Sequence, residues 1–119
     1  MEMRAGEAAP ERRPLTVGSR PTDDGVVVEV SGDLDFETAD ALHDLIGGLA
    51  LRPGQRLAVD LGAVDFFDSS GLGALLAAHA LARQSEAALE LVAPPDHILR
   101  VLDAVGLTEY FATSPAERR

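Results

Sequence analysis

The sequence predicts an α/β fold, a single domain in which a small mixed β-sheet is covered by helices. Three observations carry that expectation. From residue 25 onward, segments with alternating apolar residues take turns with segments in which apolar residues recur every three or four positions. Strands joined through a helix must run parallel, with right-handed crossovers. The length, 119 residues, suffices for one core and not for two.

The elements follow in order. Residues 1–14 carry Pro, Glu, Ala and Arg without a period and read as a flexible tail. A first strand is expected near Leu15 to Arg20, and the turn formers of "PTDDG" (Pro21 to Gly25) lead into "VVVEVSG". There Val26, Val28 and Val30 share one face, against Val27, Glu29 and Ser31 on the other. In "GDLDFETADALHDLIGGLA", Asp35 is the expected N-cap of a helix with Glu37 in its first turn. Leu42, Leu45, Ile46 and Leu49 recur at helical spacing, and Gly47, Gly48 and "RPG" end the segment. Leu57, Val59 and Leu61 alternate in a second strand, followed by a helix from about Ser70 to Arg83. "ALELVAP" is a third strand, closed by Pro94-Pro95. Asp96 is the expected cap of a short helix that places Ile98, Leu99, Leu102 and Val105 on one side and stops at Gly106. The domain is expected to span 15–112, with 113–119 as a frayed tail.

Composition excludes several functions. The chain has no cysteine, which removes disulfides and thiolate chemistry, and no lysine, which removes a P-loop lysine and Schiff-base chemistry. A net charge of −10 argues against nucleic acid, whose phosphates need basic partners. No apolar run approaches the 18 or so residues of a membrane span, and the start "MEMRAGEAAPERRP" has no apolar signal core. A cytoplasmic protein without direct membrane contact is the expectation.

The stretch "VDFFDSSGLGALLAAHA" carries the chemistry. It is not the G-x-S-x-G of a hydrolase, since Phe67 lies two places before Ser69 and Asp68 two places before Ser70. His43, His79 and His97 sit within helical patterns, and none stands out as a catalytic base. "GLGALL" has Leu76 where a dinucleotide fingerprint needs a third small residue, although an anion at this helix start remains physically reasonable. No acidic run has calcium spacing and no histidine pair lies four apart, so neither metal nor cofactor is expected. A plain helix cap accounts for Asp68, Ser69 or Ser70, but not for three competing cap residues. Nor does it account for Gly71 and Gly73, which cost about 1 kcal/mol each relative to Ala. With Ala74, Ala77 and Ala78 beside the Leu72, Leu75, Leu76 stripe, the helix reads as a flat docking face with a hydroxyl at its tip.

These residues resemble the STAS family, and within it the stand-alone anti-sigma factor antagonists. The matching pieces are "VVVEVSGDLDFETADALHDLI", "LAVDLGAVDFFDSSGLGALLAAHA" and "ILRVLDAVGLTEYF", which together span about residues 15 to 112. The D-S-S-G-L-G element is specific; G-D-L-D alone is weak. Phe36 stands at a position that is often polar in the family.

The resemblance implies a binding switch rather than an enzyme. In the family, the unphosphorylated antagonist binds an anti-sigma factor that is itself a serine kinase of the GHKL ATPase type, and this frees the sigma factor. The kinase phosphorylates and discards the antagonist, and a PP2C-type phosphatase restores it. The phosphoacceptor would be the serine after the aspartate, Ser69, with Asp68, Ser70 and Gly71 supporting the loop. Partner binding is expected at Asp33, Asp35, Leu72, Gly73, Ala74 and Ala77. The rival within the same fold is a scaffold subunit of a stress-signalling or lipid-transport assembly with no switch.

Overall fold

The computed structural model describes residues 13–115. The expected tails thus lie mostly outside the described residues, at 1–12 and 116–119. The elements run β1 (Thr16–Thr22), β2 (Gly25–Leu34), α1 (Ala39–Gly47), β3 (Arg56–Phe67), α2 (Ser69–Gln84), β4 (Ala88–Val92), α3 (Asp96–Ala104) and β5 (Ala112–Ser114). The sheet order is β1-β2-β3-β4-β5. Strand β1 is antiparallel to β2, and every later neighbour is parallel, so the sheet is mixed.

That sequential order has a geometric consequence. Each of the three crossovers moves one strand further in the same direction, so right-handed crossovers put all three helices on one face. The core has that composition. Leu42 and Ile46 of α1, Leu75 and Ala78 of α2, and Ile98 and Leu102 of α3 pack with Val28, Val59 and Leu91 of the sheet. Burying each of the Leu, Ile and Val side chains among these stabilises by roughly 1.5–3 kcal/mol.

Among the described residues, the other face has no helix over it and is largely polar. Arg20 pairs with Glu29 at 3.6 Å, and Arg56 Nε donates to Glu90 Oε1 at 2.5 Å. Between these pairs lies a small second cluster, Val27, Ala58 and Val92, in which Val27 is 4% exposed. Val27 sits in register between Arg20 and Ala58, and Ala58 beside Glu90. Long charged side chains cover apolar neighbours with their stems while their heads stay wet. The alternation therefore reports which face Val27 is on, but not its burial.

Several local expectations are corrected. The first turn is tighter than "PTDDG": Thr22 pairs with Gly25, leaving only Asp23 and Asp24 as a two-residue hairpin loop. Helix α1 begins at Ala39, not just after Asp35. Asp35 instead heads a turn, its carbonyl accepting the N–H groups of Thr38 and Ala39. At α3 the N-cap position falls on Pro95, and Asp96 is the first helical residue, where the dipole favours its charge. Only Ile98 and Leu102 of the expected α3 stripe are buried; Leu99 and Val105 are exposed. Finally, Thr113 and Ser114 belong to β5, which pairs with β4 from Glu90 to Val92, rather than to a frayed end. Phe111, buried just before it, anchors that strand.

Candidate functional site

Strands β2 and β3 end side by side, with Asp33 opposite Phe66 and Leu34 opposite Phe67. The next residues, Asp35 and Asp68, therefore start two adjacent connections at the carboxyl end of parallel strands, where α/β sheets present their sites. The first connection leads to α1. The second is a single residue, Asp68, between Phe67 and Ser69.

Asp68 is the N-cap of α2 in extended conformation. Its Oδ1 accepts the N–H of Ser70 at 2.8 Å and of Gly71 at 3.1 Å, and its carbonyl accepts that of Leu72 at 3.0 Å. The side chain thus satisfies two of the four free donors at the helix start, and the carbonyl begins the regular helical ladder. Ser69 is left out of the capping bonds and stands exposed as the first helical residue, while Ser70 is half-buried on the side of α1. The three apparent cap residues have three different places.

The two glycines also separate. A Cβ on Gly71 would lie 2.8 Å from the Leu34 carbonyl oxygen and 2.9 Å from a Phe67 ring carbon, so only glycine lets the helix start so close to the end of β2. Among the described residues, a Cβ on Gly73 would meet nothing within 4 Å. Gly73 lies on an open surface.

That surface is a groove of about 610 Å³ between α1 and α2, not the flat face expected from the small residues. Ser70, Gly73, Ala74 and Ala77 line it from α2; Phe36, Glu37, Ala39, Asp40 and His43 line it from the other side. Of the expected docking residues, Gly73 and Ala77 reach the groove freely. Ala74 reaches it with 7% exposure, and Leu72 packs partly against the core.

Asp33 is buried at 8% exposure, and its Oδ2 accepts the N–H of Arg13 at 3.1 Å. Its own N–H donates to the Arg13 carbonyl at 3.0 Å. This carboxylate shapes the loop and ties down the chain that enters β1. Asp35, more exposed, accepts the Glu37 N–H at 3.0 Å. Thr38, which the sequence did not single out, pins the two acids together: its hydroxyl donates to the Asp33 carbonyl at 2.7 Å and accepts the Asp35 N–H at 2.9 Å.

Phe36, Glu37, Asp40 and His43 were also absent from the expected site. A signal for Phe36 existed in the sequence, a large apolar residue between two acids in an aromatic-poor chain. The others join the site only because α1 packs beside α2, a relation no local pattern carries.

The other two histidines are engaged away from Ser69. His79 stacks on Tyr110 with ring centroids 4.6 Å apart, and His97 Nε2 lies 3.1 Å from the Val64 carbonyl. Among the described residues, no group of three His, Cys, Asp or Glu side chains could hold a metal ion, and no helix is long and apolar enough to cross a membrane. What the site offers is an exposed hydroxyl at an anion-favouring helix start, next to an acidic groove with an apolar floor.

Comparison with known proteins places this arrangement. The family described as "Mlab, STAS domain" matches residues 17–113, from β1 to β5. An anti-sigma F factor antagonist of Paenibacillus polymyxa is 35% identical over 85 residues, which is 69% of this chain and 71% of that one. An anti-sigma-B factor antagonist of Listeria monocytogenes is 28% identical over 95 residues, 80% of this chain and 82% of the relative. The crystal structure of an anti-sigma factor antagonist from Mycobacterium paratuberculosis superposes with a TM-score of 0.70 at 31% identity, covering 92% of this chain and 91% of that one. The chain belongs to the STAS domain family, among its anti-sigma factor antagonists.

Proposed function

We propose that this protein acts in the cytoplasm by binding, in its unphosphorylated form, an anti-sigma factor that is itself a GHKL-type serine kinase. Binding withdraws the anti-sigma factor from its sigma factor. The kinase ends the interaction by phosphorylating Ser69, and a PP2C-type phosphatase restores the antagonist. One observation carries the reading: the capping of α2 rests on Asp68, which leaves Ser69 exposed beside Ser70, a residue that lines the α1–α2 groove. The names of its relatives, antagonists of anti-sigma factors, supply the class of partner.

The energetics suit a switch. A phosphoryl group adds about −1.5 to −2 charges at pH 7. At the start of a helix of 16 residues the dipole and the first N–H groups favour that charge, so the fold tolerates it. At an interface the same charge meets desolvation and the neighbouring Asp68. Each 1.4 kcal/mol of conflict there lowers affinity about tenfold.

The test is to incubate the protein with ATP and each candidate anti-sigma kinase of the same genome, then record intact and peptide mass spectra. A single phosphate on Ser69 supports the reading. A stable complex that never transfers phosphate supports a scaffold subunit instead.

A further inference from the structure

Phe36 is 81% exposed in a chain that has only four Phe, one Tyr and no Trp. Phe67 and Phe111 are used in the core, at 7% and 3% exposure. An aromatic ring in water gives up the burial that would stabilise the fold, so its placement needs another cause. Phe66, 50% exposed, is the natural comparison. It alternates with buried Phe67 along β3 and so stands on the opposite face of the sheet from the helices. Phe36, by contrast, walls the α1–α2 groove opposite Gly73 and Ala77.

The backbone under Phe36 is held firmly for so exposed a residue. Asp35 and Thr38 close the turn around it, through the carbonyl of Asp35 and the hydroxyl of Thr38. A ring presented on a fixed turn loses little conformational freedom when it docks, which is how aromatic anchors gain affinity. Three carboxylates stand beside it: Asp35 and Glu37 flank it in sequence and Asp40 shares its groove with His43; among the described residues, no arginine lines that groove.

We propose that Phe36 is the specificity anchor of the docking site, its ring entering an apolar socket on the anti-sigma factor that is rimmed by Arg or Lys side chains. This rests on the function proposed above and adds to it the recognising residue and the chemistry of the surface it meets. Interfaces concentrate their energy in a few buried aromatics, and opposite charges around them set the partner and the rate of encounter.

The experiment compares wild type, Phe36→Ala, Phe36→Leu and Phe66→Ala for binding to the purified anti-sigma kinase that phosphorylates the wild type, by calorimetry at low and high salt. Thermal melts run in parallel. Phe36→Ala is expected to weaken binding by about thirty-fold or more, the loss typical of an anchor. Phe36→Leu recovers part of that loss, Phe66→Ala changes affinity less than about threefold, and wild-type affinity falls with salt. All four proteins melt within about 2 °C of one another, because neither ring is buried. Wild-type affinity in Phe36→Ala overturns the anchor alone. An equal loss in Phe66→Ala also overturns it, since general stickiness then explains the effect. A wild type that no such kinase binds or phosphorylates overturns the anchor together with the proposed function.

Discussion

A methyl group on Gly71 would lie 2.8 Å from the carbonyl oxygen of Leu34. This contact fixes how closely the start of α2 approaches the end of β2, and so the distance between the two connections that form the site. Gly71→Ala must push helix and strand apart, and overpacking of this kind costs about 1–3 kcal/mol. Thermal or urea denaturation is expected to show that loss.

Gly73 is predicted to behave oppositely. With nothing within 4 Å of a new Cβ, Gly73→Ala keeps the fold and adds up to about 1 kcal/mol of helix stability. The added methyl also enters the groove, so affinity for the partner is expected to fall while the melting temperature holds or rises. Opposite signs for stability and binding at one residue mark a docking position.

Asp68 is predicted to act on stability through its cap. Asp68→Ala removes the acceptor of the Ser70 and Gly71 N–H groups and costs about 1 kcal/mol. Asp68→Asn keeps a side-chain oxygen and stays within a few tenths of wild type by the same rule. Equal losses in both variants would show that charge, not capping, is what Asp68 supplies.

Thr38 tests the architecture of the first connection. Thr38→Val has nearly the same shape but leaves the Asp35 N–H and the Asp33 carbonyl without their shared hydroxyl. The expected cost is about 1–2 kcal/mol, with Thr38→Ser restoring most of it. Amide hydrogen exchange at Asp35 should quicken in the valine variant and not in the serine variant.

Much of this was legible in the sequence, for identifiable reasons. The alternation at Val26, Val28 and Val30 and the helical spacing at Leu42 and Ile46 are local records of a buried face, and the structure buries all of these but Val26, which packs partly against the core. Helix α2 was located within one residue at each end, because a strong acidic cap and a polar close bound it. What escaped depends on neighbours distant in sequence. Strand β5 is three residues without alternation, placed by pairing with β4 and by the burial of Phe111. The difference between Gly71 and Gly73 exists only once β2 lies behind α2. The burial of Asp33 depends on the return of Arg13 alongside it, and the groove wall on α1 lying beside α2. Asp33 is expected from its motif to touch a partner, and no local pattern records that its carboxylate also holds the Arg13 N–H.

Ala77 offers a direct probe of the docking face. It is half-buried and lines the groove, whereas Ala74 is too buried to carry a charge without unfolding. Ala77→Arg is expected to weaken partner binding by about tenfold or more at unchanged melting temperature. Unchanged affinity would move the interface elsewhere.

In the proposed function, a charge on Ser69 switches binding without disturbing the fold. The most direct test is to prepare unphosphorylated and singly phosphorylated protein and measure, side by side, affinity for the same anti-sigma factor and melting temperature. Phosphorylation is expected to lower affinity by at least about tenfold, with melting temperatures within about 3 °C. Ser69→Asp should follow the phosphorylated form in part, and Ser69→Ala should bind like the unmodified protein and take up no phosphate. Equal affinities for the two forms, or loss of binding only through loss of the fold, would contradict it.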